Sequence, residues 1–151
     1  MGVVRILVSG ACGSMGGYVC RGVDAADDME LVAAVDPAGI GHRLGEMLPD
    51  LSEESKGIKV SGHLASMLEQ YEPDVMIDFS SPAVVMNNIE AALNAGTACV
   101  VGTTGFSEID IKPVARMAER KGVACLIAPN FSIGAASVAM PRLLWGEISK
   151  K

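Results

Sequence analysis

A chain of 151 residues, half of them hydrophobic, 20% charged and with a formal net charge of −6, suffices for one domain with a proper core but not for two comfortable ones. The composition reads as globular rather than disordered, and the acidic balance argues against nucleic acid or an anionic membrane as the main partner. An anionic ligand then has to be held by local amide dipoles, not by a basic surface.

The first hydrophobic run, Val3 to Ser9, reads as a strand buried on both faces. It feeds into Gly10-Ala11-Cys12-Gly13-Ser14-Met15-Gly16-Gly17, which opens a helix over about 14–24. Four glycines in eight residues cost backbone entropy. Either the turn is simply tight, or a ligand such as a phosphate must approach the bare amides of the helix start. In the second reading Gly10 permits the turn, Gly13 admits a diphosphate, and Gly16 lets helix and strand pack closely. The spacing is GxxGxxG rather than the commoner GxGxxG, and alone it is a weak signal.

The second strand, Leu31 to Asp36, ends in an acid 26 residues after Gly10. A carboxylate there can accept hydrogen bonds from ribose hydroxyls and repel a 2′-phosphate, although Asp36-Pro37 is also an ordinary turn signal. Pro37 to Gly57 is the longest irregular stretch and is expected to be a mobile loop. Ile58 to Ser61 is a weaker, more polar strand candidate suited to a sheet edge, and a helix follows at 63–70.

Asp74 to Phe79 is the next buried strand. Ser81-Pro82 supplies a capping hydroxyl and a proline for the start of a helix over 82–95, which Asn94-Ala95-Gly96 stops. The strand Ala98 to Val101 runs into Gly102-Thr103-Thr104, which offers hydroxyls and amides. A helix over 110–121 begins at Asp110, so that Pro113 falls in its first turn where no amide is needed. The last strand, Ala124 to Ala128, runs into Pro129-Asn130-Phe131, which offers an amide and an aromatic face. Strand and helix alternating in this order predict a Rossmann-like, doubly wound parallel sheet with right-handed crossovers. Ligands bind such a sheet beyond the carboxyl ends of its strands.

Cys12, Cys20, Cys99 and Cys125 show no CxxC spacing, and His42 and His63 stand at no zinc-finger spacing from them. The expectation is reduced thiols in a cytoplasmic protein, with no metal site. Residues 122–141 carry no charge, but Pro129, Asn130, Ser132, Gly134 and Ser137 argue against a membrane span.

The motifs "GACGSMG", "IDFSSP", "VVGTTGF" and "APNFSIG", in this order along essentially the whole chain, resemble 4-hydroxy-tetrahydrodipicolinate (dihydrodipicolinate) reductase of bacterial lysine and diaminopimelate synthesis. The resemblance implies an oxidoreductase that reduces a cyclic dicarboxylate imine with NADH or NADPH. It implies that Gly10, Ala11, Cys12, Gly13, Ser14 and Met15 wrap the diphosphate and that Asp36 holds the adenosine ribose. By the same resemblance Gly102, Thr103 and Thr104 meet the nicotinamide side, with Thr104 nearest the substrate. Ala128, Pro129, Asn130 and Phe131 contact the nicotinamide half and form the hinge into a second domain. That domain carries a His-His stretch in the family, and no His-His pair occurs in these 151 residues.

The chain is therefore expected to be the cofactor half of such an enzyme, a fragment or truncated product with no catalytic residue of its own. Residues 1–132 form the dinucleotide-binding domain and 133–151 the hinge and start of the second. NADH is favoured over NADPH, because Asp36 is followed by Pro37 rather than a cation. Leu143, Leu144, Trp145 and Ile148 fall at helical spacing, while Pro141 interrupts a helix begun at Ile133, so a poorly anchored tail open to self-association is expected. Two other readings remain at this level: a stand-alone dinucleotide-binding or assembly module without activity, and a methyltransferase-like fold.

Overall fold

The computed structural model describes residues 2–128. Six strands, β1 (Val4–Ser9), β2 (Met29–Val35), β3 (Val60–Ser61), β4 (Val75–Asp78), β5 (Ala98–Val101) and β6 (Cys125–Ile127), alternate with helices. The helices are α1 (Ser14–Ala25), α2 (Leu44–Met47), α3 (Glu53–Lys56), α4 (Leu64–Tyr71), α5 (Val85–Asn94) and α6 (Glu108–Lys121). All the strand pairings are parallel, in the order β3-β2-β1-β4-β5-β6. The weak, polar strand does stand at an edge.

Successive side chains of a strand point to opposite faces, so an apolar run serves two cores at once. Leu7 packs with Met76, Ile89, Leu93 and Val101 on the side of α4, α5 and α6. Its neighbours Ile6 and Val8 pack with Cys20 and Val23 of α1 on the other. Strand β2 breaks the alternation. Ile6 pairs with Leu31 but Leu7 with Ala33, which leaves Val32 as an extra residue in a bulge. Val32 and Ala33 accordingly both belong to the core of Leu7.

Three expected elements differ. Residues 37–57 are not a loose loop: they form a 3-10 turn at Pro37–Gly39, then α2 and α3. Leu44, Leu48 and Leu51 are buried with α1, an apolar spacing too short and too interrupted to read as a helix. Asp24, on the last turn of α1, anchors the segment by accepting from the Ser52 amide at 2.8 Å and from the hydroxyls of Ser52 and Ser55.

That anchor carries a pH signature. Burial by itself would push the Asp24 carboxyl up, but the bonds from Ser52 and Ser55 outweigh it and hold it below the usual range. A carboxylate depressed in the folded state adds stability above its unfolded value, about pH 3.9, and loses it as pH falls through the folded value. Hydrogen exchange at the Ser52 and Ser55 amides should therefore be insensitive to this carboxylate from neutrality down to about pH 4 and accelerate, relative to a Asp24→Asn variant, only in stronger acid. Local opening near pH 6 that the Asp24→Asn variant lacks would contradict this anchor.

Helix α5 begins at Val85, not at Pro82. Residues 82–84 form a turn in which the Ser81 carbonyl accepts from the amides of Val84 and Val85. Pro82 instead approaches the loop after β5, where a Cβ on Gly105 would lie 2.8 Å from its Cγ. Helix α6 begins at Glu108 and keeps Pro113 in its interior. The earlier start gives the Asp110 carboxylate the Ser107 amide at 2.8 Å and the Ser107 hydroxyl at 2.9 Å. A start at Asp110 would forgo that closure, which offsets the single ladder bond a proline removes.

The uncharged 122–141 stretch opens with β6, and no helix among the described residues is long and apolar enough to cross a membrane. The boundary at residues 132–133 and the tail from Ile133 lie outside the described residues.

Candidate functional site

The strand order changes direction between β1 and β4, and beyond the carboxyl ends of these strands such a sheet opens a crevice. The glycine turn stands there. Gly10 has φ +80, a conformation side chains disfavour, and a Cβ on it would collide with the Phe79 carbonyl that follows β4. A Cβ on Gly16 would be driven into the Gly10 carbonyl. The fold itself demands both glycines.

Gly13 is different. Its φ of −78 and ψ of 169 suit any residue, and a Cβ there would meet only the Gly10 carbonyl oxygen at 3.5 Å, an ordinary contact. Gly13, Ser14 and Met15 are exposed. No side chain caps α1 and no acid occupies its first turn. What a side chain at residue 13 would fill is the open space before the amides of α1, where the helix dipole favours an anion.

Asp36 follows β2 and serves the protein twice. One oxygen accepts from the Cys12 amide at 2.9 Å, drawing the glycine turn toward β2, and the other accepts from the Ala38 amide at 2.9 Å. The turn role and a ligand role are compatible, because an ionised carboxylate has about four acceptor sites. Burial, reinforced by the charge of Asp36, pushes the Cys12 thiol up to about 11. Cys12 is therefore a neutral thiol, not a nucleophile, at physiological pH.

Across the crevice, the Gly102 amide donates to the Asp78 carbonyl at 2.9 Å, and a Cβ on Gly102 would strike the Phe79 ring. Thr103 is only 6% exposed, and its hydroxyl donates to an Asp78 carboxylate oxygen at 2.7 Å. Thr104 is exposed. The two adjacent threonines thus differ: one is committed inward and the other faces out. Ala128 is half-buried, its amide donating to the Val101 carbonyl at 2.9 Å. Pro129, Asn130 and Phe131 lie outside the described residues.

Sequence reasoning passed over Asp78 and Asn88. Asp78 is fully buried and accepts from the Ser80 amide, the Ser80 hydroxyl, the Asn88 side-chain amide and Thr103. The available signal was an acid ending the otherwise apolar strand Val75–Asp78.

The histidines do not join the site. His42 Nδ1 is 3.0 Å from Glu46, and His63 stands at the start of α4. Among the described residues no group of three or more His, Cys, Asp or Glu side chains could hold a metal. A surface hollow lined by Val3, Pro73, Asp74, Gly96 and Ala124 lies at the amino edge of the sheet, away from the glycine turn.

A parallel sheet in this order, with a glycine turn opening α1 and a carboxylate after β2, defines a nucleotide-binding domain of the Rossmann type. Residues 4–131 match the family model "Dihydrodipicolinate reductase, N-terminus", and the chain belongs to that family of oxidoreductases. A 4-hydroxy-tetrahydrodipicolinate reductase from Syntrophomonas wolfei is 39% identical over 131 residues, covering 87% of this chain and 48% of the relative. One from Methanothermobacter thermautotrophicus is 40% identical over 137 residues, covering 87% and 49%. The solved dipicolinate-bound dihydrodipicolinate reductase from Paenisporosarcina sp. TG-14 superposes with a TM-score of 0.74 at 32% identity, covering 89% of this chain and 50% of that one. The chain spans about half the length of these relatives.

Proposed function

We propose that this chain is the NAD(P)H-binding half of an oxidoreductase that reduces a cyclic dicarboxylate imine in lysine synthesis. The observation that carries the reading is Gly13: a glycine the fold does not need, at an uncapped helix start. The residues present suit a dinucleotide. The amides of Ser14 and Met15 are offered to the diphosphate over the bare Gly13, whose own amide donates to the Gly10 carbonyl. Asp36 accepts from the adenosine ribose, and the β5 loop from Gly102 to Thr104 borders the nicotinamide. The bound nicotinamide supplies the hydride for the reduction. Ala128, Pro129, Asn130 and Phe131 are read as further contacts to the nicotinamide half. Thr104, exposed while Thr103 is committed to Asp78, is the hydroxyl offered to a substrate carboxylate.

NADH is the preferred cofactor in this reading. A 2′-phosphate would meet the Asp36 carboxylate, and the basic side chains nearest in sequence are engaged elsewhere. His42 pairs with Glu46, and the Arg43 guanidinium donates to the Gly57 carbonyl at 3.1 Å. Calorimetric titration at low salt should give tighter binding of NADH than of NADPH, a gap that Asp36→Asn narrows, and no binding of S-adenosylmethionine. Equal or tighter NADPH binding would show that His42 or Arg43 swings back to the phosphate. S-adenosylmethionine binding without NADH binding would replace the reductase reading with a methyltransferase-like one.

A further inference from the structure

Asp78 is fully buried, and the amide and hydroxyl of Ser80, the hydroxyl of Thr103 and the side-chain amide of Asn88 all donate to its carboxylate. One oxygen accepts from the Ser80 amide at 3.0 Å, the Ser80 hydroxyl at 2.7 Å and the Thr103 hydroxyl at 2.7 Å. The other accepts from the Asn88 side-chain amide at 2.9 Å, which also reaches the Ser9 hydroxyl at 3.3 Å. This one side chain therefore joins the loop after β4, helix α5 and the loop after β5, and only Asn88 carries the network on to the end of β1. Its main chain continues the same construction, since the Asp78 carbonyl accepts from Gly102. Among the described residues no buried side-chain polar atom lacks a partner, and in a core such a satisfied network fixes one geometry.

We propose that Asp78 is a positioning residue for the nicotinamide half of the site. Through Thr103 it sets the backbone of Gly102 to Thr104 against the crevice. The adenosine half does not depend on it. A doubly wound sheet binds a dinucleotide across its two halves. The β1–β2 half here is held by a separate contact, from the Cys12 amide to Asp36. An acceptor-only carboxylate suits the four donors. An amide at residue 78 would set an N–H group against a donor, and the β5 loop would lose its fixed place while the glycine turn kept its own.

This inference rests on the dinucleotide reading above, and the test separates the two. The whole 151-residue chain, its Asp78→Asn variant, and its Thr103→Val and Thr103→Ser variants are titrated with NADH and with ADP-ribose, which lacks the nicotinamide. Circular dichroism establishes which variants fold, and Thr103→Val, near in shape to threonine, carries the test if Asp78→Asn does not fold. Asp78→Asn and Thr103→Val should bind NADH at least tenfold more weakly and lose most of the bound-nicotinamide fluorescence change. Thr103→Ser, which keeps the hydroxyl, should stay within about twofold of the parent. ADP-ribose affinity should move less than about twofold throughout. Parallel losses for both ligands would make Asp78 a general strut, and unchanged NADH binding would make it irrelevant to the site. Either result overturns the proposal. A parent chain that binds neither ligand overturns the dinucleotide reading itself.

Discussion

Replacing Gly13 with valine is expected to weaken NADH binding at least tenfold, about 1.4 kcal/mol, while the domain stays folded. The backbone at residue 13 already has dihedrals that valine adopts, and the nearest atom to a new Cβ is 3.5 Å away. The stability cost is confined to a poorer helix cap, about 1 kcal/mol or less. The side chain would instead stand in front of the first amides of α1 and hold a diphosphate off them. Gly16→Ala makes the contrasting case, since its Cβ would be driven into the Gly10 carbonyl. That substitution should destabilise the domain by about 3 kcal/mol, the upper end for overpacked positions. Thermal melts and NADH titrations of both variants check the pair. Undiminished NADH binding by Gly13→Val would reduce the glycine turn to a turn and nothing more.

These 151 residues by themselves are expected to reduce the cyclic imine at least about 10⁴-fold more slowly than a full-length family member. The reaction needs a hydride donor, an oriented acceptor and a proton. A positioned general acid typically contributes about 10² to 10⁴-fold, and orienting the reactants can contribute more still. Within the described residues the candidates for these tasks are poor. The Thr103 hydroxyl is committed as a hydrogen-bond donor to Asp78, and Thr104 offers an exposed aliphatic hydroxyl. His42 is paired with Glu46, and His63 opens α4 after the edge strand β3. An assay of NADH oxidation with the imine, run in parallel on this chain and on a full-length relative, decides the matter. Comparable rates would place the acid and the substrate clamp inside this chain.

The parts of the fold legible in the sequence were those with a strong local signature. Doubly buried strands read as unbroken apolar runs, and Gly96 and Gly122 adopt positive φ where α5 and α6 were expected to stop. The polar run ending at Ser61 was recognisable as an edge because burial on both faces would have excluded its residues. What escaped was set by tertiary contact. Leu44, Leu48 and Leu51 gain their order from α1 and from the anchor at Asp24, which a local reading of a Gly- and acid-rich stretch cannot register. Pro113 was a sound argument against an early start for α6, outweighed by the Ser107–Asp110 closure. In the site, Gly10, Gly13 and Asp36 stood out by spacing from the strand ends. Asp78 did not, because the meaning of a buried acid lies in its donors, and Asn88 and Thr103 are 10 and 25 residues away.

In this reading the carboxyl edge of the sheet holds a dinucleotide across the crevice between β1 and β4. The most direct measurement is an NMR titration of the isotope-labelled chain with NADH, following each backbone amide. Saturable, one-to-one changes clustered at Gly10 to Met15, at Ala38 beside Asp36, and at Gly102 to Thr104 are the result this account predicts. Absence of saturable change, or changes clustered instead at the amino edge around Val3, Asp74 and Gly96, would contradict it.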